Sequence, residues 1–109
     1  MEQFGVLEDA MRLQVLVRPV VAAIEKHDKK LADQLRRATM SVAANIAEGR
    51  NRRGGHQRER FGVAYGESHE VKSWLRMSEA WGYVPEGSTA EAADLADKVC
   101  ACLWKCSRR

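Results

Sequence analysis

The sequence predicts an all-α fold, an antiparallel up-down-up-down four-helix bundle, and three observations lead there. Apolar residues recur at three- and four-residue steps through four separate segments, the signature of helices with a buried face. Two prolines, few β-branched residues and long alanine-rich tracts leave helix formers in command of the composition. The connections between the periodic segments are short, which makes consecutive helices antiparallel neighbours.

Helix 1 is expected over residues 6–27, where Val6, Ala10, Leu13, Val17, Val20 and Ile24 form the core stripe. Pro19 falls inside it. A proline there removes the bond to the Val15 carbonyl, so a kink, or a break near Arg18, is expected. Asp28 follows in the turn, placed to cap helix 2.

Helix 2, over 29–49, is the organising element. Leu31, Leu35, Ala38, Val42 and Ile46 make one buried stripe, and Ala32, Thr39, Ala43 and Ala47 make a second, small-residue stripe beside it. That surplus of close-packing surface suggests a helix that meets a neighbouring subunit as well as its own bundle. Gly49 suits the position just past a helix C-terminus. A basic loop, Arg50-Asn51-Arg52-Arg53-Gly54-Gly55, comes next.

Helix 3 is expected over 56–81 and is also two-faced. Phe61, Ala64, Ser68, Val71, Leu75 and Ser78 form one stripe; Val63, Gly66, Glu70, Trp74, Met77 and Trp81 form another. The second holds too much apolar area to leave wet without a reason. The candidate subunit-contact residues are therefore Ala43, Ala47, Glu70, Trp74, Met77 and Trp81. A loop with both breakers, Gly82 to Gly87, leads to Ser88-Thr89-Ala90-Glu91, which has capping-box spacing with Ser88 as N-cap. Helix 4 then carries Ala92, Leu95, Ala96, Val99, Cys102, Leu103 and Cys106 on one stripe, and the arginines at 108 and 109 suit a helix C-terminus.

A chain of 109 residues makes one domain, spanning 1–109, with a core of useful size and no room for a second. Hydrophobic residues at 45% and charged residues at 30% fit a globular chain rather than a disordered one. No run reaches the roughly 18 apolar residues of a membrane span, and no signal peptide is visible, so no membrane partner is expected. Three cysteines near the C-terminus make no disulfide framework, which points to a reducing cytoplasm.

The net charge of +3 is polarised. Between residues 29 and 60, nine cations (Lys29, Lys30, Arg36, Arg37, Arg50, Arg52, Arg53, Arg58 and Arg60) face three acids (Asp33, Glu48 and Glu59). That segment carries +6, and since the chain totals +3 the remainder carries −3. Such asymmetry suits an anionic partner, RNA or DNA, with these nine as the candidate phosphate contacts; the competing reading is a solvated face. No aromatic residue interleaves with the run, so base stacking on it and sequence-specific readout are not expected.

The string Gln34-Leu35-Arg36-Arg37-Ala38, then Ser41-Val42, then Asn45-Ile46-Ala47-Glu48-Gly49 with arginines after it, resembles a known family. It is similar to the four-helix-bundle family encoded in intervening sequences of bacterial large-subunit ribosomal RNA. That family includes the accessory variability determinant of diversity-generating retroelements. The Ala64, Gly66, Glu70 spacing and the Gly82-Tyr83-Val84 turn extend the resemblance over residues 28–84; Gly66-Glu67-Ser68 departs from the family's frequent Gly-Ser-Leu. The resemblance implies a non-enzymatic homopentamer; the family's better-studied members bind nucleic acid through a basic surface and partner a reverse transcriptase, while many others have no assigned role.

Other chemistry is poorly supported. Glu48 and Glu70 could be imagined as an acid–base pair, but with Asn45, Ser41 and Arg37 they read better as polar groups that satisfy one another and fix register. Cys100, Cys102 and Cys106 with His27, His56 and His69 lack metal-ligand spacing. No phosphate-binding glycine loop, nucleophile elbow or H-E-x-x-H motif occurs, so neither an enzyme nor a cofactor is expected. The rival to nucleic-acid binding is a structural or protein-binding assembly whose charges confer solubility.

Overall fold

The computed structural model describes residues 3–107, with side chains from residue 5 onward. Four helices, α1 (Gln3–Glu25), α2 (Lys29–Arg50), α3 (Gly54–Ala80) and α4 (Ala90–Ser107), pack each against the next, and α4 closes against α1. This is the expected all-α four-helix bundle, 42 × 21 × 19 Å across its principal axes. No strand occurs among the described residues. Arg108 and Arg109 lie outside them.

The stripes read from periodicity form one continuous core. Val6, Ala10, Leu13, Val17 and Ile24 of α1 are buried, as are Leu35, Ala38, Val42 and Ile46 of α2 and Ala92, Ala96, Val99 and Leu103 of α4. On α3 the buried set is the first stripe without exception: Phe61, Ala64, Ser68, Val71, Leu75 and Ser78. Its serines stay satisfied by donating back to their own helix, Ser68 to the Ala64 carbonyl and Ser78 to that of Leu75. Gln14 bridges α1 to α2 by donating to the Thr39 carbonyl at 2.8 Å.

Three local expectations need correction, and one, the Asp28 cap, holds. The break near Arg18 does not occur; α1 is one helix through Pro19. Pro19 and Val15 both face solvent, so water can satisfy the carbonyl that the proline leaves without a donor. Asp28 does cap α2, its carboxylate accepting from Leu31 N at 2.9 Å.

Gly49 is not the residue past the helix end. It sits inside α2, buried and with an ordinary helical φ, and the helix runs on to Arg50. Its role is space: a Cβ there would lie 2.7 Å from the Phe61 ring. The left-handed glycine of this connection is Gly54, with φ of 59°, which opens α3 two residues earlier than expected.

The capping box at Ser88 and Glu91 is absent. Ser88 donates to the Pro85 carbonyl, and Glu91 reaches across to Arg12 at 3.6 Å. The start of α4 is instead held by α3: the Glu79 carboxylate accepts from Gly87 N at 2.8 Å, from Thr89 N at 3.1 Å and from the Thr89 hydroxyl. Those bonds hold the Glu79 carboxyl below the usual glutamate range.

Gly49→Ala should destabilise the fold by about 1–3 kcal/mol through the clash with Phe61. Urea unfolding followed by helical circular dichroism measures it; an unchanged midpoint would mean the α2–α3 approach is not tight there.

Candidate nucleic-acid interface

The nine candidate phosphate contacts do not form one cluster. Lys29 and Lys30 open α2, while Arg50 closes it 21 positions later, so the two groups are about 30 Å apart at opposite ends of the bundle. Arg36 and Arg37 lie between and share one acid: Arg36 donates to Asp33 Oδ1, and Arg37 to Oδ2 at 2.8 Å. Those bonds, Arg36's first, keep the Asp33 carboxyl below its usual range.

Among the described residues, the end that holds Arg50, Arg52, Arg53, Arg58 and Arg60 is the dense cationic site. Local structure explains it. Gln57 turns back from the first turn of α3 and donates to the carbonyls of Gly49 and Arg52, both at 3.1 Å, which ties off the end of α2. The chain thus reverses within a few residues, and the arginines fan out around Gly54. Arg50, Arg52 and Arg53 line a cleft of about 500 Å³ with Asn51, Gly54 and Gln57.

Arg52 and Arg60 bond to side chains of α2. Arg52 donates to the Glu48 carboxylate, which lowers the Glu48 carboxyl below its usual range. Arg60 Nη1 donates to Asn45 Oδ1 at 3.0 Å, and Asn45 Nδ2 donates in turn to the Ser41 carbonyl at 2.9 Å and to its hydroxyl at 3.0 Å. Of the polar residues expected to satisfy one another, Asn45 and Ser41 do so, while Arg37 pairs with Asp33 and Glu48 with Arg52. Among the described residues, Arg53 and Arg58 are exposed and make no ion pair.

A Glu48–Glu70 acid–base pair has no geometric support. Glu48 lines a cleft of about 510 Å³ with Asn45, Arg52, His56, Glu59 and Arg60. Glu70 lines another, with Gln34, Arg37, Ser41, Glu67 and Trp74. Burial pushes the Glu67 carboxyl up, helped by the neighbouring Glu70. Among the described residues no group of three or more His, Cys, Asp or Glu could hold a metal ion. Burial also raises the Cys102 thiol to about 11, far from a reactive thiolate.

The six candidate subunit contacts fall on two different edges of α2. Ala43 and Ala47 continue the row of Arg36 and Met40, which lines the α1 side with Gln14, Val17 and Arg18. Glu70, Trp74, Met77 and Trp81 lie on α3, and the grooves they line against α2 are on the other side. Trp74 is half-buried and its Nε1 is shut from solvent with no acceptor. Met77 is 45% exposed and Trp81 73% exposed. Trp81 stacks on Tyr83, which stacks on His27 and donates to Asp28.

Sequence reasoning missed two exposed features. Met11 and Val15 on α1 and Met40 on α2 are exposed apolar side chains. Trp104 lies against Tyr65, with ring centroids 5.5 Å apart, and Tyr65 meets His69 edge-on at 4.6 Å. Trp104 sits one residue past the buried Leu103 and so off the apolar stripe of α4, which was the available signal.

The fold and site together define the class: a four-helix bundle with a cationic end, and no membrane-crossing helix among the described residues. The family model described as 23S rRNA-intervening sequence protein matches residues 2–105, and the chain belongs to that family. A solved structure from Bacteroides thetaiotaomicron, a protein of unknown function from the S23 ribosomal protein family, superposes with a TM-score of 0.87. It is 15% identical, with 95% of this chain and 99% of that one covered, so the likeness is one of fold. No curated protein matches the chain. No enzymatic family is indicated.

The raised Glu67 gives a testable pH dependence. A carboxyl whose folded-state value is raised contributes stability below its ordinary range, and that stability is lost as pH rises through the shifted value. Glu67→Gln, which mimics the protonated form, should therefore raise the urea midpoint at neutral pH. The gap should close on acidification below the usual glutamate range; a pH-independent gap would assign the effect to packing.

Proposed function

We propose that this protein is a non-enzymatic, homo-oligomeric four-helix bundle of the cytoplasm that binds nucleic acid without reading its sequence. The carrying observation is the α2–α3 end, where Arg53 and Arg58 are exposed beside Arg50 and Arg52 around the Gly54-Gly55 opening of α3. Phosphate contacts need cations that can reach and backbone N–H groups left open, and the first turn of a helix supplies the second. Arg53 holds the N-cap position of α3 and its side chain is exposed.

Self-assembly is supported by exposed apolar side chains beside α2, Met40 on that helix and Met77 and Trp81 at the far end of α3. Five copies, and a reverse transcriptase as protein partner, rest on the family resemblance. A second reading, a structural or protein-binding assembly, draws support from the pairing of Arg36, Arg37 and Arg52 with Asp33 and Glu48, which spends three of the nine cations internally.

Affinity for generic nucleic acid should fall steeply with salt. Each neutralised phosphate contributes about −0.9 to the log–log slope on duplex DNA and about −0.7 on single strands. Arg52→Ala with Arg53→Ala should weaken binding to all sequences alike and flatten that slope, while helical content stays unchanged because both side chains are exposed. Fluorescence anisotropy over a salt series reads this out. No binding to long RNA or DNA at low salt would install the structural reading instead.

A further inference from the structure

One edge of α3 carries a pattern that the basic end alone does not explain. Arg58, Tyr65, His69, Lys72 and Arg76 recur at helical spacing, so they share the edge of α3 that faces α4. From Arg58 to Arg76 the row runs about 27 Å, and no carboxylate of α3 lies in it. Its second turn is Gly62, where an added Cβ would meet nothing within 4 Å, so the surface between Arg58 and Tyr65 is bare and open.

From α4 comes Trp104, 46% exposed, whose ring lies 5.5 Å from that of Tyr65 at a 41° tilt. His69 joins the group in an edge-to-face contact with Tyr65, ring centroids 4.6 Å apart. The acid of α4 nearest the row, Asp97, is neutralised by Lys72 at 2.8 Å. Three aromatic rings thus sit between cations, and Arg58 joins the row to the cationic α2–α3 end. In the sequence these parts are dispersed: the arginine run ends at Arg60, Tyr65 and His69 follow in α3, and Trp104 arrives from the last turns of α4.

We infer that the Tyr65–His69–Trp104 group is a nucleobase-stacking platform that makes this protein prefer single-stranded nucleic acid to duplex. Solvent-facing rings beside cations, here His69 and Trp104 with the half-buried Tyr65, fit unstacked bases joined by phosphates, since every base offers a π-face whatever its sequence. A duplex keeps its bases stacked on one another and offers the row only its phosphates. The inference rests on the proposed nucleic-acid binding and names its substrate class.

The experiment compares a short oligothymidylate with a duplex of equal length, on the full chain, for wild type, Trp104→Leu and Trp104→Phe. Wild type should bind the single strand more tightly, and tryptophan emission should be quenched on binding. Trp104→Leu should lose roughly ten- to a hundredfold in single-strand affinity while duplex affinity stays as it was. Trp104→Phe keeps a flat ring and should retain most of the affinity while losing the quench.

Equal weakening on both ligands, or unchanged single-strand affinity in Trp104→Leu, would overturn the platform and leave the cationic end standing. A change of assembly mass in Trp104→Leu would assign the face to subunit contact instead. Failure of the wild type to bind either ligand would remove the proposed function, and the platform with it.

Discussion

The close approach of α2 and α3 at Gly49 and Phe61 is the constraint on which the remaining geometry depends. Phe61 heads the fully buried side chains by volume, and its ring occupies the space that any side chain at position 49 would claim. Because the helices meet this tightly at the end of α2, the connection between them must be short. Gln57 then satisfies the last carbonyls of α2 from the first turn of α3. Of the arginines that follow, Arg60 turns back to Asn45 of α2, while Arg52, Arg53 and Arg58 are exposed. A packing requirement in the core thereby produces a cationic surface at one end of the molecule.

How much was legible in the sequence varied with the range of the interaction concerned. The helices and their buried stripes were legible, because periodicity reports burial directly: every residue of the first α3 stripe is buried. Caps and turns were less so. Asp28 is a local cap and could be read; the start of α4 could not, because Thr89 is held by Glu79, ten residues earlier and on another helix. Gly49 was recognised as special for the wrong reason, since a glycine needed for space and one needed for a positive φ look alike in one dimension.

The candidate site shows the same limit. Nine cations in 32 residues look like a cluster along the chain, yet a helix about 30 Å long separates Lys29 from Arg50. Acids one turn away, Asp33 and Glu48, engage three of the arginines. What remains for a ligand is a smaller set at one end. The aromatic group beside it was invisible to a search for interleaved residues because two helices supply it. The Trp74 indole N–H, shut from solvent without an acceptor, marks the groove between α2 and α3 as another place where the isolated chain leaves a polar group unsatisfied.

The central claim is that copies of this bundle assemble and carry nucleic acid. Light scattering on the freshly purified protein, coupled to its absorbance at nucleic-acid and protein wavelengths, tests both halves together. The account predicts a mass that is a multiple of 12.3 kDa, with excess nucleic-acid absorbance that washes away at high salt. A monodisperse 12.3 kDa species at micromolar concentration, with the absorbance ratio of pure protein, would contradict it.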